Sequence, residues 1–215
     1  MSKANFICAL DLETIANPAM LSLLPEVKPS GTLKDPDKIK KDIESRMGKQ
    51  ISGMGLNPHT NTICCASFQD VYTGESVTFG IDTLDGEKEL LVKVWDYVKD
   101  FQMFTTFNGI SFDIECLKFH SMLYKIKPSV VISQQKYKTG NHVDLRMVLS
   151  RNNEFAKGTQ DYFCKLILGE GKNDIDGSMI QGLWDDGRIG LIREYCENDV
   201  DMISKLYKRL EGYYI

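Results

Sequence analysis

The stretch ANFICALDLET, residues 4–14, is an apolar run that stops at two acids one residue apart. Residues 4–12 are short, mostly apolar and followed by a break at Asn17-Pro18, which predicts a strand. Side chains two apart on a strand share a face. Asp11 and Glu13 are therefore expected side by side at the strand's C-terminal end, with Leu12 pointing the other way into a core. Adjacent carboxylates repel and raise each other's pKa unless a cation compensates them, and hard divalent cations take oxygen ligands of this kind. Strand ends also carry acids that merely face water, so the pair by itself reads first as a solvated end.

Working outward, 61–69 and 76–82 are strand-like runs joined through Tyr72-Thr73-Gly74, an antiparallel hairpin. After Asp85-Gly86, the residues Leu90, Leu91, Val94, Trp95 and Val98 recur at helical spacing. Residues 102–107 predict another strand, Asn108-Gly109 a turn, and 112–124 a helix. Beyond Pro128 the chain reads as irregular until His142-Val143-Asp144-Leu145, where another helix is expected to begin. Two more helices are predicted at about 158–168 and 187–210. Strands come first and helices dominate the second half, which predicts an α/β fold, a mixed central sheet flanked by helices.

With 215 residues the chain is expected to form a single domain, residues 1–215. Net charge is −4, so any affinity for nucleic acid must come from a local patch or from metals. None of the six cysteines has a zinc-ligand spacing, and several lie in apolar runs as small buried hydrophobes. The opening residues lack the apolar core of a signal peptide, and no run approaches the ~20 apolar residues of a membrane span. A soluble, reduced, intracellular protein is expected.

Two further acids stand out. Asp113 falls in the first turn of the helix after the Asn108-Gly109 turn, where the helix dipole favours a negative charge in any case. Asp199 is harder to explain away. Along the last helix it shares the i, i+3/4, i+7 stripe of Ile192, Cys196, Ile203 and Leu206, while Arg193, Glu197, Asp201 and Lys208 take the solvent face. A carboxylate on a core-facing stripe is costly unless paired or metal-bound. Tyr195, four residues earlier, lies one turn away on nearly the same face.

Asp11-Leu12-Glu13-Thr14, Asn108-x-x-x-Phe112-Asp113 and Tyr195-x-x-x-Asp199 together resemble the three exonuclease motifs of the tyrosine branch of the DEDD superfamily. Within it, the chain is similar to stand-alone predicted 3′–5′ exonucleases related to the proofreading domain of family-B DNA polymerases. His142-Val143-Asp144-Leu145 and Asp176-Gly177-Ser178 also fit. The histidine branch would place its base five residues before the last aspartate, and Glu194 stands there.

The resemblance implies a ribonuclease H-like sheet and hydrolysis of phosphodiesters with two divalent cations, Mg²⁺ with Mn²⁺ substituting. It implies Asp11 bridging both cations, Glu13 and Asp199 on the cation nearer the attacking water, Asp113 on the second, and Tyr195 orienting that water. Thr14 corresponds to a contact with the terminal nucleotide, and Asn108 and Phe112 to contacts with the strand. His142 is expected to help shape the site, whereas His59 and His120 read as surface or loop residues. The implied substrate is the 3′ end of single-stranded DNA, with nucleoside monophosphates as products. A separate DNA polymerase is the implied partner, and the cytoplasm, or a host cell's cytoplasm for a viral chain, the implied location. An exoribonuclease shares the motifs, and a non-catalytic nucleic-acid-binding module would be expected to lack one of the acids.

Two surfaces are candidates for guiding the strand. From Cys116 to Val143 there is no acid and five lysines, Lys118, Lys125, Lys127, Lys136 and Lys138, interleaved with Phe119, Tyr124 and Tyr137. The stretch at about 15–59 is proline- and lysine-rich, with a helix expected at 36–47. It is too long for an ordinary connection and reads as an insertion that can form a flap.

Overall fold

The computed structural model describes residues 6–137, 140–153, 157–171 and 176–215. Ile7–Ala16 (β1) pairs antiparallel with Asn61–Asp70 (β2), which turns into Ser76–Gly80 (β3). On its other side β1 pairs in parallel with Met103–Thr106 (β4), and β4 pairs in parallel with His142–Asp144 (β5). The sheet order is β3-β2-β1-β4-β5. Helices Pro36–Ser52 (α1), Glu87–Val98 (α2), Asp113–Leu123 (α3), Leu145–Ser150 (α4), Gln160–Leu168 (α5), Ile180–Asp185 (α6) and Ile189–Leu210 (α7) complete the described chain.

The sheet buries both faces, as the continuous apolar run in β1 requires. Cys8, Leu10 and Leu12 pack with Leu91 and Val94 of α2 and with Ile114 and Leu117 of α3. Ile7 and Ala9 point the other way, to Val143 and to Val200, Ile203 and Leu206 of α7. The stripe foreseen in α2 is buried at all five positions, and the cysteines are all buried thiols. Among the described residues no helix is long and apolar enough to cross a membrane.

Three expectations change. First, β1 runs on to Ala16, so Asp11 and Glu13 stand inside a paired strand and not at its end. Pairing with β2 persists to Ala16↔Asn61 and absorbs one extra residue, since Glu13 and Thr14 face Cys65 and Ile63. Cys64 bulges there, and its thiol donates to the Glu13 carbonyl at 3.3 Å. Second, His142–Asp144 is a strand, and the helix starts only at Leu145, with the Asp144 carboxylate as its N-cap. Three residues show no periodicity, and only the pairing partner makes them a strand. Third, His120 is buried. Its Nδ1 lies 2.9 Å from the Glu87 carboxylate, and its Nε2 lies 2.9 Å from Asn61 Oδ1 and 3.0 Å from the Pro58 carbonyl. Its partners lie in other elements, which helix periodicity does not reveal. His59 is exposed, as expected.

Residues 17–59 form a short 3-10 turn at Pro18–Leu23 and the helix α1, capped by Asp35 and longer than expected. The helix α1 buries none of its residues. The segment rejoins the body at Met54, which is buried, and at Gly55, whose carbonyl accepts from Thr14 Oγ1 at 2.6 Å and from Asn61 Nδ2 at 3.2 Å.

Candidate active site

The face of β1 that carries Ile7 and Ala9 continues through Asp11 and Glu13. The long helix α7 lies across β2, β1 and β4 on this side. Its stripe is as foreseen. Tyr195 and Asp199 are buried, Asp199 at 3% exposure, and Glu197 and Lys208 are on the outside. The helix is pinned at this point, because buried Gln160 of α5 donates its Nε2–H to the Asp199 carbonyl at 2.8 Å. One turn earlier the Cys196 thiol sits 3.5 Å from the Asp11 carbonyl and 3.8 Å from Asp11 Oδ2. A carboxylate oxygen from each of Asp11 and Glu13 and the Cys196 sulfur all lie within 4.8 Å of one another.

Asp113 approaches from the first turn of α3. Its Oδ1 accepts the Leu12 backbone N–H at 3.1 Å, which ties the start of α3 to the middle of β1. Burial pushes its carboxyl up to about 7, and the negative charges of Asp144 and Asp199 push the same way. Backbone N–H bonds at Asp113 and Leu12 oppose the rise. Acids from β1, α3 and α7 thus crowd into one region.

The donor set suits a divalent cation. Asp11, Glu13, Asp113 and Asp199 offer hard oxygens, and a cation would offset the burial and repulsion that raise the Asp113 carboxyl. Cys196 is the odd member. Burial raises its thiol well above the ordinary value, so it stays protonated and serves Asp11 as an S–H donor.

The loop leading to Asp113 is held by a residue whose role went unread in the sequence. Asp144 Oδ1 accepts from the N–H groups of Asn108 (2.9 Å), Arg146 (3.0 Å) and Met147 (3.2 Å), and Oδ2 from Ile110 (3.0 Å). Arg146 Nη1 then donates to Asn108 Oδ1 at 3.0 Å, so the Asn108 amide is itself braced; its backbone sits at φ 70°. Thr106 Oγ1 accepts the Gly109 N–H at 3.1 Å, and a Cβ at Gly109 would overlap the Thr106 side chain. Glycine is required there by that close approach.

The four expected substrate-contact residues differ in what they offer. Thr14 directs its hydroxyl at Gly55 and lines an apolar cavity of about 690 Å³ between the 17–59 segment and α6, with Leu21, Ile51, Leu56 and Gln181. Asn108 lies on the braced loop. Phe112 is half-buried against the core below α2 and α3. His142 is buried in β5, and burial lowers its pKa. Its Nδ1–H donates to the Ser133 carbonyl at 2.7 Å and its Nε2 accepts from the Thr106 hydroxyl at 2.8 Å. That ring braces the loop through both nitrogens and also lines a cavity with Ile110 and Asp144.

The basic stretch after Asp113 splits up. Lys118 turns inward to the Ile132 carbonyl and Gln134, Tyr124 bonds the Glu87 carboxylate, and Phe119 lies tilted against the His59 ring. Lys125 and Lys127 remain exposed, and Lys136 and Tyr137 come to lie beside the Asn108 loop. Lys138 lies outside the described residues.

A family model described as a predicted 3′–5′ exonuclease related to the exonuclease domain of PolB matches residues 58–213. That span holds Asp113, Tyr195 and Asp199 and begins after Asp11 and Glu13. A DNA polymerase of Methanocaldococcus jannaschii is 27% identical over 171 residues, 71% of this chain and 10% of the polymerase. DNA polymerase 1 of Sulfolobus acidocaldarius is 26% identical over 139 residues, 59% of this chain and 15% of that protein. The chain therefore spans only a small part of these relatives. Among solved structures, the family B DNA polymerase of Pyrobaculum calidifontis matches 95% of this chain and 24% of its own, at a TM-score of 0.65 and 16% identity. The likeness shows the fold, a mixed five-stranded sheet flanked by helices that is shared with part of that polymerase.

Proposed function

Because the chain belongs to the family of predicted 3′–5′ exonucleases related to the PolB exonuclease domain, we propose that it is a metal-dependent 3′–5′ exonuclease. Its substrate in this reading is single-stranded DNA, from which it releases nucleoside monophosphates. The observation that supports the reading is that Asp11 and Glu13 stand side by side on β1 against the Cys196 thiol of α7, while Asp113 of α3 is tied to the Leu12 N–H and feels the charge of Asp199.

Asp11, Glu13, Asp113 and Asp199 would hold two divalent cations, Mg²⁺ in the first instance and Mn²⁺ as a substitute. Bound there, the cations would supply Lewis-acid stabilisation of developing charge and lower the pKa of the attacking water. Tyr195 orients that water by hydrogen bonding. A phenol of ordinary pKa near 10 is a poor base at neutral pH, so its role is position and not proton abstraction. The water oxygen attacks phosphorus and the bond to the O3′ of the preceding nucleotide breaks, leaving a shortened strand and a 5′-monophosphate. Thr14 and the apolar cavity beside it receive the terminal nucleoside, with Asn108 and Phe112 supporting the strand on the other side. A separate DNA polymerase is the proposed partner.

The test is degradation of 5′-labelled single-stranded DNA and RNA of matched sequence, in Mg²⁺, in Mn²⁺ and in EDTA, with Asp11→Ala as control. The expected result is a ladder shortening from the 3′ end, faster on DNA, and lost with EDTA and with the substitution. Faster loss of RNA would make the enzyme an exoribonuclease. Well-folded protein that degrades neither strand in Mn²⁺ would overturn the reading.

A further inference from the structure

A cavity of about 400 Å³ opens at the end of the sheet remote from the acids of the candidate active site. Phe6 leads into β1 there and Asp70 closes β2, and Ile7 stands four residues, about 13 Å of strand, ahead of Asp11. Three aromatic rings line the cavity. Phe101 stands edge-on to Phe6 at 6.3 Å between centroids and lies tilted against Tyr97 at 5.6 Å. Asp70 and Glu75, from the two sides of the β2–β3 turn, line it as well. Asp70 is 4% exposed. Its Oδ1 accepts the N–H groups of Tyr72 and Thr73, both at 2.9 Å, whereas its Oδ2 is enclosed and has no hydrogen-bond partner among the described residues. A buried acceptor left unpaired is costly, and a donor entering the cavity would relieve it. Both acids act on the rings. The Tyr97 hydroxyl is pushed up to about 12, by burial first and then by Cys8, Asp70 and Glu75. Asp96 and Asp100 also line the cavity, but both have interactions of their own, Asp96 with Lys99 at 2.7 Å. Among the described residues only Asp11, Glu13 and Cys196 bring ligating atoms close enough together for one metal ion, so the acids here are too far apart to share a metal.

We propose that this cavity is a docking pocket for an arginine side chain of a partner protein, with the guanidinium against Tyr97 and Phe101 and bonded by Asp70 and Glu75. Charge complementarity names the occupant. Carboxylates beside aromatic faces select a cation, and carboxylates spread too widely for a metal select an extended organic one. A guanidinium is planar, weakly hydrated and carries its donors in a fork, so it stacks on a ring while bonding carboxylates at its edge. A compact ammonium lacks that fork. The pocket is also organised before a ligand arrives, because Oδ1 of Asp70 is bound into the hairpin turn and Oδ2 is thereby fixed. An arginine in a pocket lined by aromatic rings is the pattern of an interface hot spot. The inference is independent of the exonuclease reading, since the pocket lies away from the acid cluster and would recruit a partner without touching the reacting groups.

The test is an NMR titration of the full chain with labelled Tyr and Phe rings, using acetyl-Gly-Arg-Gly-amide as the probe. A second peptide, with citrulline in place of arginine, keeps the shape and loses the charge. Saturable shifts are expected at the Tyr97 and Phe101 rings, with the citrulline peptide bound about tenfold more weakly. Asp70→Asn keeps an acceptor for the Tyr72 and Thr73 N–H groups, so the turn survives, and it should weaken arginine binding about tenfold. Glu75→Gln should weaken it about fivefold, and Tyr97→Leu about threefold. Glu44→Gln, the same change of charge on α1, should leave binding as it was. Equal binding of the two peptides, or shifts that survive Asp70→Asn unchanged, would overturn the proposal. Agmatine, the same guanidinium without a peptide backbone, should bind more weakly than the arginine peptide. Agmatine bound as tightly would make this a small-cation site and exclude the protein partner. Shifts seen only in Lys3→Ala protein would make the chain's own lysine the occupant, with the same consequence.

Discussion

Asp113 couples the chemistry of the site to the stability of the protein. Its carboxyl is held up at about 7 in the fold, against an ordinary value of 3.8. Between those values the folded chain keeps a proton that the unfolded chain has lost, so stability falls as pH rises through that window. Metal-free protein in EDTA is therefore expected to lose thermal stability from about pH 4 to about pH 7. Asp113→Asn should flatten this part of the profile, and so should saturating Mg²⁺, which favours the ionised form. A Tm-against-pH series on the two proteins checks it, and a wild-type profile that rises through the window would contradict the environment described for Asp113. Asp144 acts at the same scale by a different route. Asp144→Ala removes the acceptor of four N–H groups and should cost about 2–4 kcal/mol in urea denaturation. Activity should fall more steeply than stability, because the Asn108–Asp113 loop loses its brace.

At the scale of elements, α7 and α1 are opposites. The helix α7 buries one continuous stripe and brings Tyr195 and Asp199 to the sheet, so truncation there is expensive. Ile203→Ala, at a fully buried position, should destabilise the fold by about 2–5 kcal/mol, whereas Lys208→Ala on the outer face should stay within about 0.5. The helix α1 buries no residue of its own. Replacing residues 25–51 by a short Gly/Ser linker, while keeping Met54 and Gly55 in place, should leave the Tm within a few degrees. Single-strand affinity should fall, since the apolar cavity beside Thr14 loses Ile51 and one wall. Unchanged binding and turnover in that variant would show that the segment is not a flap over the site.

Across the whole molecule, the buried His120–Glu87 pair joins α2 and α3 to the end of the 17–59 segment. Glu87 is 1% exposed and also accepts from the Ile63 N–H and the Tyr124 hydroxyl. Through Asn61 and the Gly55 carbonyl the same network reaches Thr14, next to Glu13. Removing one member of a buried hydrogen-bonded pair leaves the other short of a partner. His120→Ala should thus lower stability by about 1–3 kcal/mol, measured by urea unfolding, and loosen Thr14 although His120 is no part of the acid cluster. An unaltered midpoint would mean that the pair carries little of the cohesion assigned to it.

Several features were legible in order along the chain because they are local. The apolar run of β1, the β2–β3 hairpin, the stripe of α2 and the placement of Asp199 on the inner face of α7 all follow from a period of two or of about 3.6. Asp199 could be singled out because a charge on a buried stripe needs an explanation, whereas Asp11, Glu13, Asp113 and Tyr195 each had an ordinary reading alone and were joined by the resemblance of their motifs taken in order. What the tertiary structure decided is everything that depends on a partner distant in sequence. Pairing with β2 carried β1 past Asp11 and Glu13, and pairing with β4 made His142–Asp144 a strand. A carboxylate from α2 drew His120 inward. Four amide groups on two segments gave Asp144 its task, and packing of α7 on β1 set the Cys196 thiol among the acids. Hydrophobic periodicity is written into each segment separately. Strand pairing, buried ion pairs and the meeting of side chains at a site are properties of two segments at once, and they exist only when the chain has closed on itself.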